Sequence, residues 1–383
     1  MRPRAVPPLD PMTPPLAGIR VIDLSRLLPG AFATLMLAEL GAEVIKVEDP
    51  NGGDPMRRLP PIVGGRGLYD LLLGRGKKSV ALDLRREDAR AALDRLVATA
   101  DVLVESFRPG TARRLGVSAE QVRARHPRLV HCAITGYGQT GPYAERPGHD
   151  LNYVAVSGLL AADRPEPSRL PRMFIADVGG GAMSAVIGIL AALFGRERSG
   201  AGDAIDISMH DAALYWVMLP AARELVAGGR DAEGELPTFG AHACYNVYQT
   251  RDGHAVALGA LEPKFWLAFC AAVGRDDLAA RHLTGPADQA ALLDEVRAIF
   301  ASRTRDEWLA LFDGHDVCLT PVNSPVEALD DPHVRARGTV VDAGGIRAIR
   351  PPFTRRVPDL DPAPEVGQHT AEVLATLADP PRA

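Results

Sequence analysis

Three separated segments of this chain hold the residue types needed to move a proton on and off carbon. They centre on His149 in Gly-His-Asp-Leu-Asn-Tyr, Asp177 in Ala-Asp-Val-Gly-Gly-Gly and Glu262 in Gly-Ala-Leu-Glu-Pro. An imidazole has an ordinary pKa of about 6.5 and therefore exchanges protons near neutral pH. A carboxylate can do so when burial in an apolar cleft raises its pKa. Together the three groups could act as acid and base on a carbon acid whose carbanion is stabilised nearby.

Each of the three residues also has a purely structural interpretation. His149 could be an ordinary hydrogen-bonding histidine, Glu262 a solvated glutamate in a first helical turn, and Asp177 the N-cap of the apolar helix that follows it. The backbone amides of Val178 and Gly179 could instead stabilise an enolate oxygen. The glycine triplet keeps side chains away, so it would let either a ligand or a neighbouring backbone approach closely.

The composition is that of a globular protein that acts in water. Its 383 residues include 43 Lys and Arg against 48 Asp and Glu, and this net charge of -5 argues against general binding to nucleic acids or membrane surfaces. Four distant cysteines without a Cys-x-x-Cys pair indicate reduced thiols and a cytoplasmic location. The histidines form no metal-binding pattern, so no metal is expected.

The apolar segments predict neither a signal peptide nor a membrane span. Residues 1–15 are rich in proline and lack the apolar centre of a signal peptide, which predicts a disordered tail. The longest apolar run covers residues 182–194 and is shorter than the roughly 20 residues that cross a bilayer. We therefore expect a buried core helix there.

The elements that must position these groups begin with the pattern of an open parallel sheet. Residues 18–24 and 42–48 are predicted strands on either side of a predicted helix, a β-α-β unit. Because the first strand lacks Gly-x-Gly-x-x-Gly, this Rossmann-like sheet need not hold a nicotinamide or flavin cofactor. The other elements predicted up to residue 135 are strands over 79–84, 101–105 and 129–135 and helices over 31–40, 87–99 and 119–125.

The rest of the chain is mainly helical and ends in a smaller α+β region. A chain of this length is long for one core, so we expect two domains, or one domain with a large excursion. The predicted elements are helices over 150–160, 177–196, 211–227, 262–273, 292–300 and 305–313, a strand over 204–208, and a hairpin of 245–250 with 254–258. The predicted organisation is a tail (1–15), a large α/β domain (16–205), a linker helix and loop (206–237), a small α+β domain (238–315), a return linker (316–338) and a C-terminal segment that completes the large domain (339–383).

As a set, the motifs of this chain resemble the family III CoA-transferase superfamily, and within it the α-methylacyl-CoA racemases. The similarity runs from about Leu16 to Leu377, nearly the whole chain. Besides the three segments described first, the motifs that carry it are Leu-Ala-Gly-Ile-Arg-Val from residue 16, Gly-Lys-Lys-Ser from 76, Glu-Ser-Phe-Arg-Pro-Gly from 105, Thr-Gly-Tyr-Gly-Gln-Thr-Gly from 135 and Cys-Leu-Thr-Pro-Val from 318.

This resemblance implies an enzyme that acts on acyl-CoA thioesters. In the racemases the histidine pairs with the aspartate, and the glutamate belongs to the opposite face. His149, Asp177 and Glu262 are therefore implied as the acid and base groups of a 2-methylacyl-CoA racemase or epimerase. In the transferases the residue that matches Asp177 is a nucleophile that forms an acyl anhydride, and the histidine is typically missing.

The resemblance also implies how CoA is bound and how subunits assemble. Candidate ligands for the phosphates of CoA are Lys46, Arg75, Lys77, Lys78 and Arg108, and no cofactor is expected beyond the CoA moiety of the substrate. Members of the family form interlocked homodimers, with the active site between the large domain of one subunit and the small domain of the second.

One segment departs from the racemase pattern. Racemases commonly carry Asp-Gly-Gly-Ala-Pro before the hairpin, where this chain has Thr-Phe-Gly-Ala-His-Ala-Cys-Tyr over residues 238–245. We expect the loss of one glycine and the arrival of His242 to reshape the acyl pocket, and to affect which substrate is used.

Overall fold

The computed structural model of the protein describes residues 13–163, 172–227, 240–353 and 359–377. The chain divides into two compact units, Met1–Ala221 with Gly338–Ala383 and Ala222–Arg337, which we call the large and the small unit. Most of the predicted disordered tail lies outside the described residues. The predicted domain boundaries and the interlocked dimer stay predictions.

The large unit contains the parallel sheet that the sequence predicts. In the sequence before residue 222, its strands are β1 (Arg20–Asp23), β2 (Glu43–Glu48), β3 (Ile62–Val63), β4 (Arg66–Gly67), β5 (Lys77–Ala81), β6 (Val102–Glu105), β7 (Val130–Thr135) and β8 (Ala204–Ser208). Six of them form one sheet in the order β5-β2-β1-β6-β7-β8, with every neighbouring pair parallel, while β3 and β4 make a separate hairpin.

Helices pack on both faces of this sheet. The helices of the chain up to residue 227 are α1 (Leu28–Glu39), α2 (Leu68–Leu73), α3 (Glu87–Val97), α4 (Pro109–Arg114), α5 (Ala119–Arg125), α6 (Asp150–Val156), α7 (Leu159–Asp163), a π-helix (Ile175–Ala182), α8 (Met183–Ser199), α9 (Met209–Trp216) and α10 (Met218–Ala227), with a 3-10 helix at Pro55–Arg58. Successive strand residues point to opposite faces, so Val21 joins a core with α1 and α8, whereas Ile22 joins a second core with α3. Burial on both faces explains why central strands such as β6, Val-Leu-Val-Glu, carry consecutive apolar residues.

Three predicted helices differ from those in the structure. The helix predicted over residues 150–160 is divided at Ser157 and Gly158 into α6 and α7. The helix predicted over residues 177–196 begins as the π-helix and becomes an α-helix only at Met183. The helix predicted over residues 211–227 is divided at Val217 into α9 and α10. Pro220 has no N–H group to continue the hydrogen-bond ladder across this point, which accounts for the break.

The π-helix and α8 form one continuous helical segment, Ile175–Ser199, which is long and apolar enough to cross a membrane by length and composition alone. One side of it packs into the core beside the sheet, with Ala185 and Ile189 fully buried. This is the environment of a core helix in an α/β protein. Its opposite side exposes a row of apolar side chains three to four residues apart, which we call the α8 stripe: Met183, Ile187, Leu190 and Phe194.

The small unit is built on the predicted hairpin. Its strands β9 (Tyr245–Gln249), β10 (Ala255–Gly259) and β11 (Leu319–Pro321) form an antiparallel sheet in the order β11-β10-β9. Aromatic rings fill its core, including Trp266 stacked on Phe269 and Phe300 packed edge-on against Trp308. Its helices are α11 (Pro263–Val273), α12 (Pro286–Phe300), α13 (Arg305–Phe312), α14 (Pro325–Asp330) and α15 (Pro332–Ala336), with a 3-10 helix at Asp276–Arg281.

The C-terminal segment returns to the sheet of the large unit. It contains a hairpin of β12 (Val340–Asp342) with β13 (Arg347–Ile349) and the helix α16 (Thr370–Thr376). The outer edge of β5 is covered here, because the backbone N–H of His369 donates to the carbonyl of Ser79 at 2.9 Å and the N–H of Ser79 donates to the ring of His369 at 3.1 Å. Arg57 also binds this segment, donating to the carbonyl of Pro364 at 3.0 Å.

Candidate active site

A cavity of about 720 Å³ lies in the large unit at the carboxyl ends of β1, β6 and β7. In open α/β sheets this edge is where ligands bind, because the loops that follow parallel strands meet there. His149, Asp177 and Arg108 all line the cavity, so the structure brings together three of the residues predicted from the sequence. Its apolar lining comes mainly from Leu27, Pro29, Pro55, Phe107, Ile134 and Met209.

Asp177 reaches the cavity from the first turn of the π-helix. The glycine triplet that follows it allows close packing of α9: a Cβ on Gly179 would lie 2.9 Å from the ring of Trp216, and one on Gly181 would lie 2.8 Å from Cγ of Met209. A neighbouring helix therefore approaches this segment closely. Single π-turns within helices occur frequently at functional sites.

The carboxyl group of Asp177 has an unusual environment for an aspartate. Its pKa is raised from 3.8 to about 7, first by burial and then by the negative charge of Asp150. The backbone N–H of Asp177 donates a hydrogen bond to Oδ1 of Asp150 at 2.8 Å. The helical segment begins at Ile175 with Phe174 as its N-cap, so Asp177 lies inside it and is not an N-cap. Near neutral pH the carboxyl group of Asp177 can either hold or accept a proton.

The amide of Val178 does not have the role considered from the sequence. Its N–H donates to the carbonyl oxygen of Phe174 at 3.1 Å, so this hydrogen bond already uses it within the helix. The amide of Val178 is therefore occupied within the helix, while the enolate contact considered for Gly179 stays a prediction.

His149 immediately precedes α6, and its exposed imidazole lines the cavity. The backbone N–H of His149 donates to Oδ1 of Asn152 at 3.0 Å, and its carbonyl accepts the N–H of Asn152 at 2.8 Å. These two bonds fix the backbone at the start of the helix. Among the described residues, no hydrogen bond joins the imidazole to the carboxyl group of Asp177, so both groups are open to a ligand in the cavity.

Tyr153 is a cavity residue to which the sequence analysis gave no role, although it belongs to the His149 segment. Its ring packs against the backbone of Gly136 and Gly148, where an added Cβ would lie 2.5 Å and 2.7 Å from the ring respectively. Burial, followed by the charge of Asp177, raises the pKa of its hydroxyl to about 12. Tyr153 therefore remains a neutral hydrogen-bond donor beside Asp177.

Glu262 belongs to the small unit. It follows β10 and is the residue immediately before α11, where Pro263 occupies the first helical position. Its side chain is exposed and makes no capping hydrogen bond to the helix. This is the position predicted from the sequence, and the part of Glu262 in proton transfer stays a prediction.

Lys46 and Lys77, two of the predicted phosphate ligands, are buried beneath the carboxyl end of the sheet. Nζ of Lys46 lies 3.2 Å from Oδ2 of Asp54 and 3.8 Å from Oδ2 of Asp23. Nζ of Lys77 donates to Oγ1 of Thr34 at 2.7 Å and lies 3.5 Å from Asp23. Burial lowers the pKa of Lys77 to about 8, against the attraction of Asp23. Both lysines therefore have partners inside the protein.

The other three predicted phosphate ligands differ in how available they are. Arg75 is buried with its guanidinium 3.5 Å from Glu39, and Lys78 pairs with Glu43 and Glu372 at 3.2 and 2.9 Å. Arg108 is exposed at the start of α4 and lines the cavity. Binding of CoA by any of the five residues stays a prediction, and Arg108 is the one that shares the cavity with His149 and Asp177.

A second cavity of about 240 Å³ adjoins the first. Arg26 and Phe107 line both, so the two cavities are neighbours in the large unit, and we refer to them together as the groove. The wall of the second cavity includes the buried Lys46 and Asp54 and the exposed Arg85. A groove of this kind suits an elongated ligand that has both apolar and charged parts.

The segment that departs from the racemase pattern is described from Gly240 onwards. Gly240 has a φ of +85° and its carbonyl accepts the side-chain N–H of Asn246 at 2.7 Å, which folds the segment back before β9. Nδ1 of His242 is buried without a hydrogen-bond partner among the described residues. The effect of His242 on an acyl pocket stays a prediction.

Comparison with known proteins follows the same motifs. The sequence profile of CoA-transferase family III matches residues 16–370. An alpha-methylacyl-CoA racemase from Mus musculus is 35% identical over 369 residues, which cover 94% of this chain and 92% of that protein. The succinyl-CoA:glutarate CoA-transferase of the same organism is 32% identical and covers 94% of this chain and 86% of its own length. Racemases and transferases are thus similarly close in sequence.

The fold of a solved structure is also similar. The crystal structure of a CAIB/BAIF family protein from Brucella suis superposes with a TM-score of 0.82 and is 32% identical, covering 95% of this chain and 99% of the other. The likeness therefore extends over nearly the entire chain rather than over the sheet alone.

Proposed function

Because this chain belongs to CoA-transferase family III, we propose that it racemises 2-methylacyl-CoA thioesters by 1,1-proton transfer. One group removes the proton from the carbon next to the thioester carbonyl, and another returns a proton to the opposite face of the planar enolate. The observation that carries this proposal is the presence of His149 and Asp177 in one cavity. A transferase needs the aspartate alone, whereas proton transfer uses the imidazole as well.

The first proton transfer is assigned to His149 and Asp177, which line the same cavity. A thioester α-proton is weakly acidic, so the base must act together with groups that stabilise the enolate, and each tenfold gain in rate requires about 1.4 kcal/mol. The raised pKa of Asp177, about 7, places its titration at the working pH of a proton-transfer group. The neutral hydroxyl of Tyr153 is available beside it as a hydrogen-bond donor.

The second proton donor is Glu262. This assignment is supported by the resemblance of its segment to that of the racemases, and by its exposed position at the start of α11. Its carboxyl group makes no capping hydrogen bond to the helix.

CoA is proposed to lie along the groove formed by the two cavities. Arg108, exposed at the mouth of the larger cavity, is the first candidate for a phosphate contact, because a guanidinium binds phosphate oxygens through paired hydrogen bonds. The apolar side chains of the larger cavity suit the pantetheine and acyl parts. No cofactor other than this CoA moiety is needed for the reaction.

A homodimer is proposed as the active assembly. The α8 stripe exposes large apolar side chains: Ile187 is 69% exposed and Phe194 is 71% exposed. Helix α9 also exposes large apolar side chains, including Tyr215 at 72%. Exposed apolar surface of this kind typically marks a protein interface. A second copy of this chain is the partner that the family resemblance provides, and it would also supply the small unit.

The racemase proposal is tested with a chirally pure 2-methylacyl-CoA in heavy water. The expected result is that the diastereomer ratio moves towards equality while deuterium enters position two. The variants His149→Ala, Asp177→Asn and Glu262→Gln should each slow this exchange, while Glu145→Gln, which changes an exposed glutamate outside the cavity lining, should not. No change in the ratio and no deuterium uptake with several branched acyl chains would overturn the proposal.

CoA transfer between carboxylic acids is the second candidate, because a transferase is about as similar to this chain as a racemase is. In that reaction the ionised carboxylate of Asp177 attacks the thioester carbonyl, CoA thiolate leaves, and an aspartyl acyl anhydride remains. Hydroxylamine treatment during turnover would then label Asp177, and mass spectrometry would find the adduct. Absence of any adduct with a panel of donor and acceptor acids would exclude this candidate.

A further inference from the structure

Leu27 has a backbone conformation that leucine rarely adopts. Its φ of 62° and ψ of -159° place it in a region occupied almost entirely by glycine, because a Cβ there crowds the neighbouring peptide groups. It is the one non-glycine residue with a positive φ among the described ranges of the chain. A glycine would adopt this conformation without strain, so the leucine side chain must contribute something that offsets its cost.

A buried carboxylate holds the strained residue in place. The backbone N–H of Leu27 points at Asp54, 3.1 Å from Oδ2 and 3.3 Å from Oδ1. Asp54 is itself fixed, since its Oδ1 accepts the N–H of Met56 at 3.0 Å and its Oδ2 lies 3.2 Å from Nζ of Lys46. Lys46 also donates to the carbonyl of Ser25 at 2.9 Å, two residues before Leu27. The loop from β1 to α1 is thus tied to a buried ion pair.

The side chain of Leu27 has two environments. One part packs against a small core that includes Ala31, Met56 and Leu73. Another part lines the cavity that contains His149 and Asp177. Packing alone does not require the strain, because loops usually place leucine in a core from ordinary extended backbone. The position on the cavity wall is what this particular backbone conformation provides.

We propose that Leu27 is a substrate-positioning residue, held in strained backbone by the Asp54–Lys46 pair so that its side chain forms part of the apolar wall contacted by an acyl-CoA. The proposal rests on the proposed function for the identity of the ligand. It also gives Lys46 a role different from the phosphate contact implied by the family resemblance: Lys46 fixes the loop from inside the protein.

The strain is tested by comparing Leu27→Gly with Leu27→Ala. Both variants lose the same packing, but only alanine keeps a Cβ in the crowded conformation. We expect the glycine variant to have the higher Tm, which reverses the usual order of the two residues. The matched control is Leu59, an exposed residue of the same unit with an ordinary φ of -79°; there the alanine variant should have the higher or an equal Tm. If the glycine and alanine variants had the same order of Tm at both positions, the backbone of Leu27 would not be strained.

Positioning is tested separately, by calorimetric titration of the full-length protein with acetyl-CoA at 25 °C. Leu27→Gly and Leu27→Ala should both weaken the Kd about tenfold, a typical effect of removing a well-packed apolar contact. Leu27→Met, which preserves the volume, should retain the wild-type Kd. An unchanged Kd in the glycine and alanine variants would show that Leu27 serves packing only. If the wild type bound no acyl-CoA, the proposed function and this role would both fail, while the Tm order would still decide whether the strain is real.

Discussion

The backbone N–H of Asp177 donates a hydrogen bond to the carboxyl group of Asp150, 2.8 Å away, and the two carboxyl groups repel each other through space. One acidic side chain thus anchors the other and at the same time disfavours its ionisation. Asp150 follows His149 directly in the chain. The start of α6 therefore supplies both the imidazole of the candidate site and the charge that adjusts its aspartate.

Substitution Asp150→Asn should change the pH dependence of the enzyme. An asparagine oxygen can still accept the N–H of Asp177, but the negative charge is lost. The pKa of Asp177 should then fall from about 7, while burial, the larger cause, keeps it above 3.8. Because an ionised Asp177 is needed as base or nucleophile, the acid limb of kcat/KM against pH should move to lower pH.

The control for this measurement is Asp203→Asn. Asp203 is exposed, lies outside the cavity lining, and also accepts a backbone N–H through Oδ1, that of Ala204 at 2.8 Å. Its replacement should leave the pH profile unchanged. An acid limb that stays in place in Asp150→Asn would mean that Asp150 does not influence the ionisation of Asp177.

Asp177→Asn should remove a pH-dependent loss of stability. Between 3.8 and about 7 the unfolded chain has released the proton of Asp177 while the native protein still holds it. The native state thus binds more protons, and the free energy of unfolding falls as pH rises through this window. Asparagine does not titrate. The Tm of the variant relative to the wild type should therefore rise from pH 4 to pH 8, measured by calorimetry; a difference independent of pH would contradict the raised pKa.

The glycines of the π-helix should be far less tolerant than other helical glycines. In Gly179→Ala the new methyl group would meet Trp216 at 2.9 Å, and overpacking of this kind typically costs about 1–3 kcal/mol. In Gly195→Ala, within α8, no atom lies within 4 Å, and the helix should gain about 0.5–1 kcal/mol. Urea unfolding of both variants measures the difference. Equal stability would indicate that α9 can move away from the π-helix without cost.

Arg108 and Lys78 should respond differently to loss of charge. Arg108→Gln should raise the KM for an acyl-CoA about tenfold, since a hydrogen bond to a charged group contributes about 1.5–3 kcal/mol. Lys78→Gln should leave KM unchanged, because that ammonium group is already paired with Glu43 and Glu372. Steady-state kinetics on both variants provides the comparison. An equal rise for Lys78→Gln would support the phosphate role that the family resemblance gives it.

The α8 stripe should control the oligomeric state. Ile187→Asp and Phe194→Asp each place a charge on a surface proposed to be covered by a second copy, and should convert a dimer to a monomer in light scattering. Ile62→Asp changes an equally apolar residue, 51% exposed, at a site away from the stripe, and should leave the dimer intact. A wild-type protein that is monomeric at micromolar concentration would refute the proposed interface.

Local patterns were sufficient to predict the six strands of the sheet, because most of them contain an apolar run between clear turn signals; β5, which begins with two lysines, starts two residues before its predicted position. The same applies to helices with strong boundaries: α5 and the strand β8 occur over the residues predicted for them. The family motifs, and not the sequence spacing, predicted that His149 and Asp177 belong to one site. The two residues are 28 positions apart, with two helices between them. Their shared cavity is a tertiary property that periodicity does not encode.

Other features depended on contacts between distant segments. The π-helix requires the glycine triplet to pack against α9, and a helical pattern alone does not distinguish it from an α-helix. The conformation of Leu27 depends on Asp54, which lies on the far side of α1 and β2 in the chain. The internal partners of Lys46 and Lys77 are equally non-local, so a lysine near a predicted strand could not be assigned as buried or free from sequence alone.

The outer edge of β5 is covered by residues 367–369, and this has a consequence for biosynthesis. The side-chain hydroxyl of Ser79 receives the N–H of Gly367, a residue 288 positions later. At about 5–20 residues per second, a ribosome takes roughly 15–60 seconds to cover that distance. During this time the nascent chain carries an uncovered strand edge, which can pair with other polypeptides. The outer edge of β5 can be covered only after residues 367–369 have been synthesised.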